Sequence, residues 1–330
     1  MTHQPTYGIG LLGAGRIGEK RSAALPHGCT LRAVYDVRSA AARALAASYS
    51  SAAVMTSAEE LCSRDDVNIV VVAATHDALT ELALIAIKNN KHVFIEKPGA
   101  RTATELREVA AAAAARGVTV GVGFNHRFHP ALRTARDIVI SGKFGPLLWV
   151  RGRYGHGGRL GYDKEWRAQK ALSGGGELMD QGCHLIDLMQ FLFGAATLDY
   201  ARLTTSFWNM EVEDNAFLVL KTQADATAWL HVSWTEWKNL FSLEITLQRA
   251  KIEVTGLGGS YGTEVLTVHE MKPEMGPPDT TRQEFTGTHD ESWNAELVDF
   301  LARVEGRQGI GCDLEQAIAV HDIIAEAYRR

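Results

Sequence analysis

Asp180 and His184 are two residues whose types and spacing suit acid–base chemistry. They lie four residues apart in a helix predicted over Gly176–Phe193, which places both side chains on one helix face. A carboxylate beside an imidazole can orient the ring, and His184 could then act as a general base toward a hydroxyl proton. The alternative is an acid at a helix N-terminus beside a purely structural histidine. Asp187 lies on roughly the same side, but nothing nearby in the sequence completes a metal site, so we expect no metal.

A second candidate site is the glycine-rich run Gly13-Ala14-Gly15-Arg16-Ile17-Gly18, which follows a strand-like run and opens a helix. Its three glycines permit a tight turn, close approach of a pyrophosphate, and tight packing of helix on strand. The helix N-terminus offers unpaired N–H groups to the phosphates. Asp36, 23 residues beyond Gly13, is placed to accept hydrogen bonds from the ribose hydroxyls. Its charge favours NAD, but Arg38 could neutralise a 2′-phosphate, so NADP remains an alternative cofactor.

Lys97 is a candidate for chemistry at the same end of the molecule. The run His92–Ile95 leads into Glu96-Lys97-Pro98. Ligands of open parallel sheets bind beyond the carboxyl ends of the strands, so we expect Lys97 to face the nicotinamide. Its ammonium group could hold a substrate oxygen and stabilise alkoxide character as hydride leaves. A lowered pKa would also let it join the proton transfer. The alternative is a solvated charge at a strand end.

The elements that carry the glycine-rich run and Lys97 alternate between strand and helix composition, which predicts a doubly wound parallel sheet, the Rossmann arrangement. The strand-like runs are Tyr7–Leu12, Thr30–Tyr35, Ile69–Ala73, His92–Ile95 and Val118–Val122. The helical runs are Ile17–Leu25, Ser39–Ser48, Ala58–Ser63, Leu79–Asn89 and Thr102–Arg116.

After about Asn125 the pattern changes to long strands, several with alternating polarity, which predicts an α+β domain with an open, mainly antiparallel sheet. The predicted strands are Leu147–Tyr154, Leu198–Trp208, Asn215–Leu220, Ala226–Trp234, Leu243–Leu247, Lys251–Thr255 and Val265–His269. Besides Gly176–Phe193, the predicted helices are Pro130–Ser141, Trp293–Glu305 and Asp313–Tyr328, and Met271–Thr288 is predicted as a loop. We therefore expect a dinucleotide-binding domain over residues 1–124 and a substrate-binding and oligomerisation domain over 125–330, whose last helices could pack back on the first domain.

With these features the chain resembles the glucose–fructose oxidoreductase / inositol 2-dehydrogenase / rhizopine catabolism (Gfo/Idh/MocA) family over essentially its whole length. The resemblance is carried by Gly13–Gly18, the Thr75 region, Glu96-Lys97-Pro98, Asn125-His126-Arg127-Phe128, and Gly174–His184 with Asp187. It implies a Rossmann domain joined to a domain with an open antiparallel sheet, which often forms the interface of dimers and tetramers.

The resemblance also implies roles for particular residues. Lys97, Asp180 and His184 match the catalytic lysine, aspartate and histidine of the family. Further cofactor contacts are implied at Thr75, His76, Glu96 and Asn125, and a substrate contact at Arg127. Members often carry Thr-Pro-Asn where this chain has Thr75-His76, and a histidine where it has Thr80. That departure leaves the details of the nicotinamide contacts open.

The segment from Arg151 to Lys170 is rich in positive charge and in groups that bind sugars. It contains six basic and two acidic residues in a chain whose net charge is −5. The alternative interpretation is a solvated loop. The functional interpretation is a site for a polyhydroxylated substrate with an anionic group, such as a sugar nucleotide, sugar phosphate or sugar acid. Besides Lys97, Arg127, Asp180 and His184, the candidate substrate-binding residues are His156, Arg159, Tyr162, Trp166 and Arg167.

The totals for the chain exclude several kinds of partner. The net charge of −5 gives no general attraction to nucleic acid or anionic membrane, and no apolar run approaches a membrane span. Four scattered cysteines predict reduced thiols, and the residues at Met1–Pro5 lack an export signal, so we expect a cytoplasmic protein. Aromatic residues of the second domain, such as Trp229 and Phe241, predict a homodimer or homotetramer.

The function that these features favour is a dehydrogenase moving a hydride between a nicotinamide cofactor and a secondary hydroxyl or keto carbon of a sugar, sugar nucleotide or sugar derivative. Three alternatives remain at this stage. One is a cyclitol dehydrogenase acting on inositol, and a second cleaves glycosides by transient oxidation with bound NAD. The third is a non-catalytic dinucleotide sensor, against which the presence of Lys97, Asp180 and His184 argues.

Overall fold

The computed structural model describes residues 7–287 and 290–330. The residues Met1–Pro5, on which the expectation about export rests, lie outside the described residues, as does Thr288 at the end of the predicted loop. The described chain divides into two compact units. One contains the residues up to Asn125 together with Trp293–Ile318, and the other contains His126–Ser292 together with Ala319–Arg330.

The first unit is built on a six-stranded parallel sheet with the strand order β3-β2-β1-β4-β5-β6. This is the doubly wound order of dinucleotide-binding domains. Its strands are β1 (Tyr7–Leu12), β2 (Cys29–Tyr35), β3 (Ala53–Val54), β4 (Ile69–Val72), β5 (His92–Glu96) and β6 (Val120–Gly123). Its helices are α1 (Arg16–Ala23), α2 (Ser39–Ala46), α3 (Ala58–Cys62), α4 (His76–Lys88) and α5 (Ala103–Arg116).

Apolar residues cover both faces of this sheet. Alternate residues of each strand point to opposite sides, so each strand contributes to the packing on both faces. On one face Leu12, Val70 and Val93 pack with apolar residues of α3, α4 and α5. On the other face Leu11 and Val71 pack with α2 and with Leu297 and Phe300 of a helix near the end of the chain. The predicted parallel sheet with helices is confirmed, and the two-residue strand β3 is an addition too short to give a sequence pattern.

The second unit is built on an eight-stranded sheet with the order β14-β13-β12-β11-β7-β10-β9-β8. Among the described strands of this sheet, β7 and β10 run parallel and the other neighbours run antiparallel. The strands are β7 (Leu147–Gly155), β8 (Ala196–Thr204), β9 (Asn215–Thr222), β10 (Thr227–Ser233), β11 (Leu240–Leu247), β12 (Ala250–Thr255), β13 (Glu264–Glu270) and β14 (Asp279–Phe285). The remaining α-helices among the described residues are α6 (Pro130–Ile140), α7 (Lys170–Ser173), α8 (Cys183–Phe193), α9 (Ser292–Val304) and α10 (Leu314–Ala327).

The two faces of the second sheet differ. Buried residues such as Gly152 and Leu230 lie under Leu185 of α8. The opposite face presents Trp149 and Trp229, which are 38% and 36% exposed. The predicted open, mainly antiparallel sheet is therefore confirmed.

Two local predictions in this unit are wrong. The segment predicted as a loop contains β14, whose polar, exposed residues pair with β13 along their whole length and show no core-facing pattern. The helix predicted over Gly176–Phe193 is not uniform, because Leu178–Gly182 forms a π-helical turn before α8 begins. We call this segment the π-turn. None of the helices in residues 7–287 and 290–330 is long and apolar enough to cross a membrane.

Candidate active site

The glycine-rich loop between β1 and α1 is shaped by steric demands of the chain itself. Gly13 has φ +102, and a Cβ there would lie 2.3 Å from the Ala73 carbonyl oxygen. A Cβ on Gly18 would lie 2.1 Å from the carbonyl oxygen of Gly13. At Gly15, in contrast, the nearest atom to a Cβ is a nitrogen of Arg38 at 3.8 Å. Gly15 precedes α1 and has no side chain to cap it, and the space beside it is open. Because the first N–H groups of a helix have no partners within the helix, this end of α1 suits a phosphate group.

Asp36 is fixed at the carboxyl end of β2 by backbone hydrogen bonds. Its Oδ2 accepts the N–H of Ala14 at 2.8 Å, and its Oδ1 accepts the N–H of Arg38 at 2.8 Å. The Arg38 side chain is exposed, with Nε 3.3 Å from Oδ1. Arg16 is exposed at the start of α1, and Ile17 packs against the core. The carboxylate therefore stands beside the loop with lone pairs left for ribose hydroxyls.

The other predicted cofactor residues gather at this same edge of the first sheet. Thr75 and His76 stand at the N-terminus of α4, shortly after β4 ends. Asn125 follows β6 and begins a short 3₁₀ turn. Glu96 ends β5, and Lys97 follows it with a cis peptide bond to Pro98. The carboxyl edge of a doubly wound sheet is where dinucleotides bind, so all of these residues are in the expected region.

The Glu96 side chain has a partner inside the protein. It pairs with Arg21 of α1, and Arg21 also donates to Glu296 of α9 at 2.7 Å. The guanidinium lies over the rings of Phe94 and Trp293, at 4.6 and 4.4 Å. Glu96 thus anchors the end of β5 to α1 and α9. We propose that Glu96 supports the cofactor site through its pair with Arg21, whereas Lys97 is the candidate catalytic residue.

The second cluster of candidate residues lies in the second unit, on and after the π-turn. Asp180 is in the π-turn, and its Oδ2 accepts a hydrogen bond from Arg167 Nε at 3.2 Å. Burial lowers the pKa of Arg167, but the surrounding negative groups, led by Asp180, raise it by more. The i→i+5 bonding of a π-helix changes the angle between Asp180 and His184 from that of an α-helix. π-Turns within helices are frequent at functional sites.

His184 is buried and stacks on the ring of His126, with ring centroids 3.8 Å apart and an angle of 21° between the planes. Tyr154 of β7 lies edge-on to His184, with ring centroids 6.2 Å apart, and is tilted against His126, with ring centroids 5.2 Å apart. Burial, followed by the nearby Tyr261 and Glu177, raises the pKa of Tyr154 well above its ordinary value. The Tyr261 hydroxyl in turn accepts from Gln181 Nε2 at 2.8 Å. His184 therefore lies in an aromatic and polar environment within this unit.

Arg127 has a structural partner. Its Nε lies 2.9 Å from Oδ2 of Asp187, and the two side chains are 1% and 0% exposed. The pair joins the 3₁₀ turn that contains Arg127 to α8. The resemblance implied a substrate contact for Arg127. Because its guanidinium is engaged in this buried pair, we propose a positioning role for it instead.

The basic segment is less positive in the folded chain than along the sequence. Arg151 makes two hydrogen bonds of 2.8 Å to Glu244 on the open face of the second sheet. Arg159 pairs with Glu165 at 2.6 Å, and Arg167 pairs with Asp180. Three of the six basic residues therefore have a carboxylate partner.

The other predicted substrate residues in this segment take different positions. Tyr162 is buried against Trp234, so its ring belongs to a small core. His156 accepts the Gly158 N–H at 2.9 Å and lies edge-on to Tyr162. Trp166 stacks on the Arg167 guanidinium at 4.5 Å. Arg167 thus connects this segment to Asp180, and Trp166 packs on Arg167.

The structure brings the predicted residues together in two sets. The cofactor residues and Lys97 belong to the first unit, and Asp180 and His184 belong to the second. His126, Tyr154 and Tyr261 are contacts that sequence reasoning missed. His126 lies inside the Asn125–Phe128 motif, and that motif was its signal in the sequence. Within residues 7–287 and 290–330, no group of three or more His, Cys, Asp or Glu side chains could hold a metal ion.

Family models match most of the chain. Residues 7–124 match an oxidoreductase family with an NAD-binding Rossmann fold, and residues 132–261 match the GFO/IDH/MocA C-terminal domain. The two matches follow one another along the chain in the same order as the two sheets.

Individual relatives extend this likeness. A D-glucoside 3-dehydrogenase of Escherichia coli (strain K12) is 25% identical over 100% of this chain and 96% of that protein. An inositol 2-dehydrogenase of Acidothermus cellulolyticus is 38% identical over 42% of each chain. A putative NADPH-dependent oxidoreductase of Desulfitobacterium hafniense, solved as a crystal structure, has a TM-score of 0.88 at 17% identity and covers 99% of this chain and 96% of that one. At that identity the last comparison shows the shared fold alone.

Proposed function

Because this chain belongs to the Gfo/Idh/MocA family of oxidoreductases, we propose that its substrate is a sugar or sugar derivative with a secondary hydroxyl group. The protein is an NAD(P)-dependent dehydrogenase with an NAD-binding Rossmann domain. The observation that carries the proposed substrate class is the match to a D-glucoside 3-dehydrogenase over the whole chain. The aromatic and hydrogen-bonding side chains around His184 support it, because sugars are bound by such groups.

Three residues of this chain are proposed to act on the hydroxyl that is oxidised. His184 accepts its proton as general base, and Asp180 supports that role from the adjoining π-turn. The Lys97 ammonium holds the same oxygen and stabilises its developing negative charge. NAD, when bound, supplies the acceptor for the hydride. In the reducing direction the proton returns to the oxygen from His184.

The charge pairs in the basic segment favour a neutral sugar over an anionic one. Arg151, Arg159 and Arg167 each have a carboxylate partner within the protein, so an anionic substrate would compete with those partners. A neutral sugar needs only hydrogen bonds and a stacking face. Inositol is the second candidate, favoured by the 38% identity to an inositol 2-dehydrogenase over part of the chain.

A screen for NADH formation tests the proposed function. The protein with NAD is mixed with free sugars, glycosides, cyclitols and sugar nucleotides, and absorbance at the NADH band is followed. We expect a glycoside or free sugar to give the highest kcat/KM. A sugar nucleotide or sugar acid as best substrate would contradict the preference for a neutral sugar. Conversion of a glycoside without net NADH formation would replace simple dehydrogenation by cleavage through transient oxidation.

We propose a homo-oligomer held together by the open face of the second sheet. Trp149 and Trp229 lie on this face, and Phe217 stacks on His231 there with ring centroids 4.2 Å apart. Exposed aromatic surface of this kind is commonly covered by another subunit.

A cytoplasmic location is proposed from the cysteines. All four are thiols, and three of them are buried. Burial raises the pKa of Cys29 to about 11 and that of Cys62 to about 12, which makes these two thiols unreactive. Buried thiols of this kind are usual in a reducing compartment.

A further inference from the structure

Glu213, in the segment between β8 and β9, binds the start of the π-turn. Its Oε1 accepts the N–H groups of Gly176 and Leu178, both at 3.0 Å. Its main-chain oxygen accepts the N–H of Glu177 at 3.0 Å. Three consecutive backbone N–H groups therefore donate hydrogen bonds to Glu213. The first N–H groups of a helix lack partners within the helix, and a carboxylate at that position also interacts favourably with the helix dipole.

Tyr328, just after α10, holds the same carboxylate. Its hydroxyl donates to Glu213 Oε1 at 2.9 Å. Burial, followed by the charge of Glu213, raises the pKa of Tyr328 well above its ordinary value, so the hydroxyl keeps its proton and remains a donor. We call Glu213 with the Tyr328 hydroxyl the Glu213 cap.

The glycines before the π-turn are explained by this cap. A Cβ on Gly176 would lie 2.0 Å from the carbonyl oxygen of Glu213. A Cβ on Gly175 would lie 1.8 Å from the Tyr328 hydroxyl. Any larger residue at either position would push the segment away from its partner. The glycine-rich run therefore allows close contact with the Glu213 cap.

Gly176 links the Glu213 cap to Asp180. Its N–H donates to Glu213, and its carbonyl oxygen accepts the Asp180 N–H at 2.9 Å. The chain then continues through the π-turn into α8, whose second residue is His184. We propose that Glu213 and Tyr328 are positioning residues that hold the π-turn in the geometry that Asp180 and His184 require for catalysis. This inference rests on the catalytic roles proposed above for those two residues.

Three variants test the cap in the full chain: Glu213→Ala, Glu213→Gln and Tyr328→Phe. Glu213→Ala removes the acceptor and is expected to lower kcat by about tenfold or more, since displacement of a catalytic group by about 1 Å can cost about 10²-fold. Glu213→Gln keeps an oxygen at the acceptor position and is expected to restore most of kcat. Tyr328→Phe removes a single hydroxyl and should give an intermediate kcat. The Kd for NAD, measured by calorimetry, should stay near the wild-type value in all three.

Asp214→Asn is the matched control, because Asp214 is the next buried carboxylate and accepts the N–H groups of Ser206, Phe207 and Trp208. It should lower the unfolding temperature while leaving kcat near wild type. Wild-type kcat in Tyr328→Phe and in Glu213→Ala, or equal kcat losses in Glu213→Gln and Glu213→Ala, would overturn the inference. If Glu213→Ala does not fold, the inference is tested with Glu213→Gln and Tyr328→Phe. Wild-type kcat in Tyr328→Phe would then refute the inference. If His184→Ala keeps wild-type kcat, the catalytic role proposed above for His184 fails instead, whereas the NADH screen decides the proposed substrate class.

Discussion

At the scale of single residues, the proposed chemistry depends on groups that are weak alone and effective in combination. Lys97 directly follows β5, and Glu96, the last residue of that strand, pairs with Arg21. His184 is held by stacking on His126. Groups that are held in place before the reaction need little reorganisation when charge develops on the substrate oxygen, and such preorganisation is a major source of catalysis.

The first prediction concerns the catalytic groups. Lys97→Ala and His184→Ala are each expected to lower kcat by about 10²–10⁴-fold, the usual cost of losing such a group. Asp180→Asn should cost less, because it acts through its neighbours. NAD affinity should stay near wild type. Lys91→Ala is the control, since Lys91 stands at the opposite end of β5 and donates to the Arg64 carbonyl oxygen. A Lys97→Ala enzyme with wild-type kcat would show that the assignment is wrong.

The second prediction concerns cofactor choice. NAD is expected to bind more tightly than NADP, because the Asp36 carboxylate would repel a 2′-phosphate. Asp36→Ala should narrow that gap and leave Arg38 free to attract the phosphate. Calorimetric titration of wild type and variant with both cofactors measures the gap. Equal wild-type affinities for NAD and NADP would contradict the role given to Asp36.

At the scale of elements, buried carboxylates hold the segments around the π-turn and α8 in place. Glu213 accepts hydrogen bonds from the segment that begins the π-turn, and Asp214 accepts them from the loop after β8, although the two residues are adjacent in sequence. Their pKa values move in opposite directions. Burial raises the pKa of Glu213 by more than its hydrogen bonds lower it. At Asp214 burial raises the pKa, but the hydrogen bonds, led by the Phe207 N–H, together lower it by more.

The third prediction follows from the lowered pKa of Asp214. Its ionised form is favoured by folding, so its contribution to stability is complete above the unfolded-state pKa of about 3.9 and is lost as pH falls through the lower folded-state value. The difference in unfolding free energy between wild type and Asp214→Asn should therefore shrink as the medium is acidified from pH 6 toward pH 3. Urea unfolding at several pH values measures it. A constant difference would refute the prediction.

Glu213 gives the opposite sign, which is the fourth prediction. Because its folded-state pKa is raised, the folded protein loses stability as pH rises from about 4.3, the unfolded value, through the folded value. The uncharged Glu213→Gln variant does not titrate at this position. Its stability relative to wild type should thus increase with pH over that range. The same urea series measures it, and a relative stability that falls with pH would contradict the raised pKa.

At the scale of the whole molecule, the proposed assembly depends on the open face of the second sheet. This face presents large, partly exposed aromatic side chains, namely Tyr200, Trp149 and Trp229. Charged side chains continue across the same face, where Arg151 and Lys251 both bind Glu244. A surface with an aromatic part and a charge-paired part suits a self-complementary interface.

The fifth prediction is that Trp229→Glu dissociates the oligomer, because it places a charge in the aromatic part of this face. Trp237→Glu is the control, since Trp237 is also exposed but packs against Phe207 outside the sheet. Light scattering at micromolar concentration measures the mass of each. A wild-type protein that scatters as a 36.0 kDa monomer would refute the proposed assembly.

The sequence by itself determined the parts of this protein that depend on neighbours in the chain. The glycine-rich loop, the strand before it and the helix after it are consecutive, so their residue types alone predict the turn. The alternation of apolar strands with helices predicts the parallel sheet for the same reason, since crossover connections leave few alternatives. Glu96-Lys97-Pro98 could be placed at the carboxyl edge because β5 ends there.

Only the tertiary structure decided how the second set of residues is arranged. The Glu213 cap joins groups that are 35, 37 and 115 residues apart, and the His126–His184 stack joins two separate segments. Such contacts depend on strand register and on how the chain packs over the sheet, which leave no periodic signal in sequence. The π-turn is hidden for the same reason, because no local pattern of Leu178–Gly182 distinguishes it from the rest of the helix and the Glu213 cap lies elsewhere in the chain.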